Sequence, residues 1–200
     1  MKGNTKKLAV FAVIVAVAMF IAAAMASADD NKWNAFHGKY AATSMGSCLM
    51  TPKGFNPNLT LVDPTTGYMN SNTAQTIWTF YPDGTGTAQG RGVGLNDILP
   101  YYAAGSSNEI SWQFTYNITH DGTITTDLIP GTYEGTFLQG PNKGFTFTFD
   151  KLSDSGMVSQ DHKTITLGSI TEDVVKLTTS NGIVHYGICF YGRVLTRLDE

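Results

Sequence analysis

Apolar and polar side chains alternate strictly through the middle of the chain. Between residues 110 and 118 every second position is apolar, and the positions between them carry Ser, Gln, Thr or Asn. The apolar positions are Ile110, Trp112, Phe114, Tyr116 and Ile118. A period of two residues is typical of a β-strand with one buried face. The same alternation recurs at residues 145–149, so the pattern predicts strands.

Further runs rich in Thr, Val, Ile and aromatic residues predict the rest of the sheet. They occupy residues 39–50, 73–81, 85–93, 123–129, 132–138, 157–160, 164–169 and 183–196. Short turns join these runs, and no amphipathic segment of helical length lies between them. Residues 172–177 fit one helical turn or another strand equally well. The pattern predicts an all-β domain of eight or nine antiparallel strands.

Evenly spaced antiparallel strands form either a closed barrel or a β-sandwich. Cys48 lies in the first predicted strand and Cys189 in the last, and two such cysteines are expected to form a disulfide in an oxidising compartment. Closing a barrel brings the first and last strands together and removes unpaired strand edges. We therefore expect a closed antiparallel β-barrel, with the sandwich as the alternative.

A free catalytic thiol is the alternative role for Cys189, since His185 lies four residues before it. Two residues four apart on a strand point the same way but are about 13 Å apart. They cannot form a catalytic pair by themselves, which favours the disulfide.

Residues 51–72 break the regular spacing of strands. This stretch contains Pro52, Pro57 and Pro64 together with apolar side chains such as Phe55 and Leu61. Loops of this length in a compact domain are usually functional lids or disordered. Because the apolar side chains allow it to pack, we expect an ordered flap over one end of the barrel.

The first 28 residues have the composition of a secretory signal peptide. Three lysines precede an uncharged run from Leu8 to Met25, and Ala26-Ser27-Ala28 supplies the small residues of a cleavage site. The sequence thus predicts a secreted or periplasmic protein with one domain at residues 29–200. A retained membrane anchor is the less favoured alternative, because the apolar run approaches the length that spans a bilayer.

Charge excludes nucleic acid as a partner. Beyond the leader, ten basic residues remain against sixteen acidic ones, a formal net charge of −6. Such a chain offers no broad basic surface for phosphates. The sequence does not define an oligomeric state.

Residues 81–94 are rich in glycine, which raises the question of a phosphate-binding loop. A dinucleotide site needs G-x-G-x-x-G before a helix, but Gln89 stands where the third glycine belongs. No lysine and hydroxyl pair follows Gly94, as a P-loop requires. Pro82-Asp83-Gly84 is instead typical of a turn. We therefore predict a hairpin whose returning strand has a bare face, and no cofactor.

The N-terminal Phe36-x-Gly38-x-Tyr40, the long first loop and Arg193 in the last strand resemble the calycin group, which includes lipocalins. The barrel of the allene oxide cyclase type is a second relative by strand count. Lipocalins carry a tryptophan two residues after that glycine, where this chain has Tyr40. The resemblance implies a closed barrel around a small ligand, with Arg193 packed on the Tyr40 ring.

The last strand divides into an apolar and a polar face. Val184, Tyr186, Ile188, Phe190 and Val194 share one face, while His185, Gly187, Cys189, Tyr191 and Arg193 share the other. If the apolar face lines the barrel, eight aromatic residues converge on its interior. These pocket candidates are Trp78, Phe80, Trp112, Phe114, Tyr116, Phe147, Tyr186 and Phe190. An eight-stranded barrel of this kind is either filled by its rings or holds one small ligand.

The chain shows no catalytic signature. Its four histidines lack the close spacing of a metal motif, and no G-x-S-x-G nucleophile turn occurs. We expect an exported barrel that binds a largely apolar small molecule without catalysis. The alternatives are a barrel isomerase or cyclase, with Glu134, His185, Tyr191 or Arg193 as polar participants, and a structural outer-membrane or surface barrel.

Overall fold

The computed structural model describes residues 36–98, 102–169 and 174–198. The predicted signal peptide lies outside these residues. The chain divides into a unit of residues 1–36 and a unit of residues 37–200, and the second is described below.

In the described part of the second unit the chain forms eleven antiparallel strands. They are β1 (Gly38–Thr51), β2 (Tyr68–Phe80), β3 (Thr85–Ile98), β4 (Tyr102–Ile118), β5 (Thr123–Leu128), β6 (Glu134–Gln139), β7 (Thr146–Phe149), β8 (Ser153–Val158), β9 (Thr164–Ser169), β10 (Val174–Thr179) and β11 (Val184–Arg197). The all-β prediction is confirmed, although it counted eight or nine strands and the described residues form eleven. Of the undecided residues 172–177, residues 174–177 belong to strand β10, and residues 172–173 lie outside the described ranges.

The sheet closes on itself. β1 pairs with β2 on one side and with β11 on the other, so the first and last strands meet. Following the hydrogen-bonded neighbours β1-β2-β3-β4-β5-β8-β9-β11 returns to β1 and gives a ring of eight strands. The closed antiparallel barrel expected from the sequence is therefore present, in an irregular form.

The irregularity arises because three strands of the ring are interrupted. β5 and β6 both pair with β4, at its end and its beginning respectively. In the same way β8 and β7 together take the place of one strand, since β8 pairs with β5 and β7 pairs with β6. β9 and β10 likewise both pair with β11. The wall thus divides into a half built by β5, β8 and β9, called here the packed end, and a half built by β6, β7 and β10, called the cavity end.

The packed end is filled by large side chains. Tyr40, Trp78, Phe80 and Phe114 are at most 1% exposed. Their rings meet edge to face, as in the Tyr40–Phe80 pair at 5.4 Å and the Phe80–Phe114 pair at 5.3 Å. Aromatic pairs prefer this geometry, and each side chain buries a large apolar area. This end of the interior is a solid core.

A hairpin joins β2 and β3, as the sequence predicts. The Tyr81 N–H donates to the Thr85 carbonyl oxygen, and Gly84 has φ of +80°. Asp83 accepts hydrogen bonds from both the backbone N–H and the hydroxyl of Thr85. The glycine-rich segment is a turn followed by a strand, and its glycines serve strand packing.

Inward-facing glycines allow side chains of the neighbouring strands to approach β3. A Cβ built on Gly86 would lie 2.3 Å from Phe114 Cζ, and one built on Gly92 would lie 2.8 Å from Asn108 Oδ1. The bare face expected from the even spacing of the glycines is therefore the inner face of β3.

The loop between β1 and β2 covers residues 52–67, since residues 68–72 already belong to β2. The loop is ordered by its own hydrogen bonds: Val62 N–H donates to the Gly54 carbonyl, and Phe55 forms a bridge with Leu61. The hydroxyls of Thr51 and Thr66 lie 2.9 Å apart and fasten its base.

The seam between β1 and β11 carries the two cysteines. Cys48 and Cys189 face each other in the strand register, with a Cα–Cα distance of 4.1 Å and the sulfur atoms 2.16 Å apart. They are thus placed as a disulfide, which links residues 141 apart in the sequence.

Candidate functional site

A cavity of about 170 Å³ occupies the cavity end. Its lining comes from β1, β2, β3, β4, β6, β7, β10 and β11 and from the segments at the strand interruptions. Among the described lining residues none belongs to β5, β8 or β9. The cavity therefore lies directly beyond the solid aromatic core.

One wall of the cavity is aromatic. Trp112 and Tyr133 stack with ring centres 5.6 Å apart, and Tyr133 meets Phe149 edge to face at 5.0 Å. Phe137 and Phe147 extend this wall, with their ring centres 4.6 Å apart. Tyr133 comes from the interruption between β5 and β6, so the irregularity of the strand places a ring on the cavity. This wall suits an apolar or aromatic ligand.

The opposite wall is polar and open. Ser44, Asn70, Asn72, Ser106 and Asn108 contribute hydroxyl and amide groups. The space beside them exists because Gly92 and Gly94 present no side chains. A Cβ on Gly94 would lie 3.4 Å from Ser106 Oγ and 3.6 Å from Asn70 Nδ2. Sparse polar groups beside an apolar wall are typical of small-molecule sites.

Arg193 lies at the boundary between the cavity and the packed end. Its side chain is almost fully buried, and its Nη1 donates to Asp154 Oδ1 at 3.2 Å. The guanidinium carbon lies 4.9 Å from the Tyr191 ring centre and 5.9 Å from that of Trp78. Burial raises the pKa of Asp154, and the Arg193 charge opposes that rise.

Tyr68 and His185 form a pair near the other end of the cavity lining. The Tyr68 hydroxyl lies 3.2 Å from His185 Nδ1, and the rings meet edge to face at 5.6 Å. Burial raises the pKa of Tyr68 to about 12 and lowers the pKa of His185. At neutral pH the phenol is therefore protonated and the imidazole neutral, which lets the hydroxyl donate to Nδ1.

Five of the aromatic and polar site candidates line this cavity: Trp112, Phe147, His185, Tyr191 and Arg193. Cys48 of the disulfide lines it as well. Four others, Trp78, Phe80, Phe114 and Tyr116, belong to the aromatic cluster of the packed end. The aromatic candidates are therefore divided between a solid core and a cavity wall.

The polar face of β11 points into the barrel. This is the reverse of the arrangement in which its apolar face lines the interior. His185, Tyr191 and Arg193 face the cavity, whereas Phe190 is 70% exposed and Val194 is 52% exposed. The polar face lies inside because Arg193 finds a buried carboxylate there, at Asp154. Tyr186 also lies outside the cavity lining, and Gly54 of the loop approaches its ring.

Glu134 lies on the exposed outer side of β6, away from the cavity lining. Residues 52–67 likewise contribute no described side chain to that lining, so the loop orders itself without forming a wall of the site. The expectation was an ordered flap over one end of the barrel; residues 52–67 form an ordered loop that lies outside the described lining of this cavity.

The aromatic rings next to Arg193 also differ from the Tyr40 ring that the calycin resemblance implies. In the strand register Arg193 lies opposite Ser44, while Tyr40 lies opposite Arg197. Tyr191 and Trp78 provide the rings next to Arg193. The Tyr40 hydroxyl donates instead to the His162 carbonyl oxygen.

Several lining residues had no signal of their own in the sequence. Tyr133, Phe137, Asn70 and Asn108 came from an interruption, a strand end and polar positions that alternation alone does not mark as internal. Phe149 shares a face with Phe147 in the alternating stretch 145–149 and could have been found from that pattern. The one available signal was the even spacing of glycines in β3, which points to the strand opposite the aromatic wall.

Within the described ranges, no group of three or more His, Cys, Asp or Glu residues is arranged to hold a metal ion. In the same part of the chain, no helix is long and apolar enough to cross a membrane. The sequence matches no protein-family model and no curated protein at a significant level.

Proposed function

We propose that this protein is an exported carrier that holds one small, largely apolar molecule in the cavity end of its barrel. The observation that carries the proposal is the division of the interior. The packed end is solid, but at the cavity end the aromatic wall and the bare strand β3 line one open cavity. Rings that only filled a core would close that space, because protein interiors pack densely.

The size of the cavity sets the size of its ligand. An apolar cavity of about 150 Å³ accommodates benzene. The cavity here, at about 170 Å³, therefore suits a ligand with one ring or a short branched chain. Larger ligands would need to extend through the open mouth.

The outer face of β4 favours a water-exposed barrel over a membrane barrel. A membrane barrel turns apolar side chains outward and polar ones inward. In β4 the outward positions are exposed and polar, whereas Trp112 and Phe114 point inward and are buried. These outward positions are Glu109, Ser111, Gln113, Thr115 and Asn117.

Export is supported by the cysteine pair. Disulfides form and persist mainly in oxidising compartments, and the two sulfur atoms lie at bonding distance. The lysines, apolar run and small-residue site of residues 1–28 agree with this compartment.

Ligand-observed NMR with toluene as the probe tests the carrier proposal. We expect saturable binding to one site, with a Kd of about 0.1 to 1 mM for so small a ligand. Tryptophan fluorescence should change over the same concentration range, because Trp112 lines the cavity. Absence of saturable binding by both methods would overturn the proposal.

The barrel isomerase remains a second candidate because of Tyr68 and His185. Their hydrogen-bonded pair lines the cavity with a neutral imidazole and a protonated phenol, the groups that general acid–base catalysis uses. Mass spectrometry of a molecule that co-purifies with the protein distinguishes the two. A ligand released unchanged after prolonged incubation supports the carrier, and its conversion supports the enzyme.

A further inference from the structure

The charged groups among the described lining residues of the cavity are cationic. They are Arg193 and Lys151, and no Asp or Glu lies in that part of the lining. The chain as a whole has the opposite sign, with a formal net charge of −3. The described lining therefore differs in charge from the average of the molecule.

The contact between Arg193 and Asp154 leaves much of the guanidinium uncommitted. A guanidinium has five N–H groups, and a full pairing with a carboxylate uses two parallel hydrogen bonds. Here Nη1 makes a single hydrogen bond to Asp154 Oδ1, the only hydrogen bond of this guanidinium to a described residue. Asp154 Oδ2 is buried without a hydrogen-bond partner in that part of the chain.

The position of Arg193 is nevertheless fixed. Its side chain is about 95% buried, since 5% of its area remains exposed. The rings of Tyr191 and Trp78 lie within cation–π range of the guanidinium. A charge held rigidly at a buried position needs little rearrangement before it binds an anion, which lowers the cost of binding.

The unused donors of Arg193 favour an anionic group on the ligand. Four of the five guanidinium N–H groups make no hydrogen bond to a described residue, because Asp154 accepts only one. A carboxylate accepts two such N–H groups in parallel. The charge of Arg193 strengthens these hydrogen bonds, because charges interact strongly where water is largely excluded.

Resting on the carrier function proposed above, we infer that the natural ligand is a small carboxylic acid with an apolar, one-ring or short-chain body, and that Arg193 binds its carboxylate. The apolar body lies against the wall of Trp112, Tyr133 and Phe147. The carboxylate takes guanidinium N–H donors that Asp154 leaves free.

Calorimetric titration with phenylacetate and with phenylacetamide tests this inference. The two probes have nearly the same shape and differ in charge. We expect phenylacetate to bind about tenfold to a hundredfold more tightly, the range for a hydrogen bond to a charged group. Equal binding, or tighter binding of the amide, overturns the acid inference and leaves the carrier intact. Binding of neither probe, together with no binding of toluene, overturns the carrier and the inference with it.

A pair of variants locates the acid site. Arg193→Met combined with Asp154→Leu replaces the buried ion pair by apolar side chains, a change that buried pairs often tolerate. In this variant phenylacetate should fall to the affinity of phenylacetamide. Arg91→Met removes an arginine from the exposed outer side of β3 and should leave both affinities unchanged. Retention of the preference for the acid in the double variant contradicts the role of Arg193. The comparison of the two probes on the unmodified protein remains decisive if the double variant does not fold.

Discussion

Two glycines in β3 account for the open space in the barrel. Gly92 and Gly94 line the cavity, and an added Cβ at either position would meet the polar side chains of β4. At Gly94 the nearest atom would be Ser106 Oγ at 3.4 Å, close to an ordinary contact. A side chain therefore fits at Gly94, but it occupies part of the cavity volume.

Gly94→Val should block the cavity while keeping the fold. A branched side chain suits a strand better than glycine does, so the melting temperature should stay level or rise. Toluene affinity should fall by about tenfold or more, the effect of a methylene-sized change in an apolar pocket. The control is Val93→Ile, at the neighbouring exposed position. Undiminished toluene binding in Gly94→Val would show that the probe binds elsewhere.

His185 should make stability depend on pH. Burial lowers its pKa in the fold, whereas an unfolded histidine titrates near pH ~6.5. Below that pH the unfolded chain binds a proton that the folded site resists, so the free energy of unfolding decreases as the pH falls. This stabilisation is complete above pH ~6.5 and is lost on acidification.

His185→Asn tests this dependence because it removes the titration and keeps a polar side chain near Tyr68. The free energy of unfolding, measured with urea, should fall between about pH 7.5 and about pH 5. The decrease should be larger for the unmodified protein than for the variant. His120→Asn, at an exposed turn, should behave like the unmodified protein. If the free energy of unfolding decreases equally in His185→Asn and in the unmodified protein, His185 is not the source of the pH dependence.

At the scale of elements, β1 and β11 form the seam that decides the architecture. Twelve pairs of residues face each other between them, and Cys48 and Cys189 are one of these pairs. The backbone pairing therefore continues well beyond the cysteines on both sides. The disulfide reinforces a seam that strand hydrogen bonds already define.

Removing this link should destabilise the protein without abolishing the fold. In the chain-entropy account, closing a loop of 141 residues contributes about 5 kcal/mol as an upper value. Urea unfolding of Cys48→Ala/Cys189→Ala should show a lower midpoint than the oxidised protein. The reduced protein should approach the variant, and reductant should have no effect on the variant itself. An unchanged midpoint would mean that the sulfur atoms are not bonded in solution.

At the scale of the whole molecule, ring closure leaves the eight-strand circuit without a free edge. A strand at an open edge has one row of unpaired N–H and C=O groups. Here β1 and β11 have neighbours on both sides. The weak points of the wall are instead the interruptions, such as residues 129–133 between β5 and β6.

Hydrogen exchange should report this closure. Amides of β1 and β11 should be protected as strongly as those of β3, because all three strands are paired on both sides. The amide of Gly131, in the interruption between β5 and β6, provides the internal comparison and should exchange faster, whereas the N–H groups of Ile129 and Thr132 donate to backbone carbonyls. Rapid exchange confined to the amides that hydrogen-bond between β1 and β11 would indicate that the ring opens at this seam.

The amino-acid sequence alone determined the strands and much of the architecture. Alternation at residues 110–118 identified the second half of β4, which begins at Tyr102. The turn residues Pro82-Asp83-Gly84 identified the hairpin, and the two cysteines indicated which strands meet. These features are local or pairwise, so a period of two or one turn residue is sufficient to reveal them. Even the bare inner face of β3 was visible in the spacing of its glycines.

The tertiary structure decided which face of β11 lies inside and where the interior is empty. Alternation shows that a strand has two faces, but the buried face depends on partners that come from elsewhere. Arg193 is internal because Asp154, 39 residues away, supplies its carboxylate. The cavity is likewise lined together by Gly94, Tyr133 and Phe149 from separate parts of the chain, and no local pattern encodes which distant segments meet.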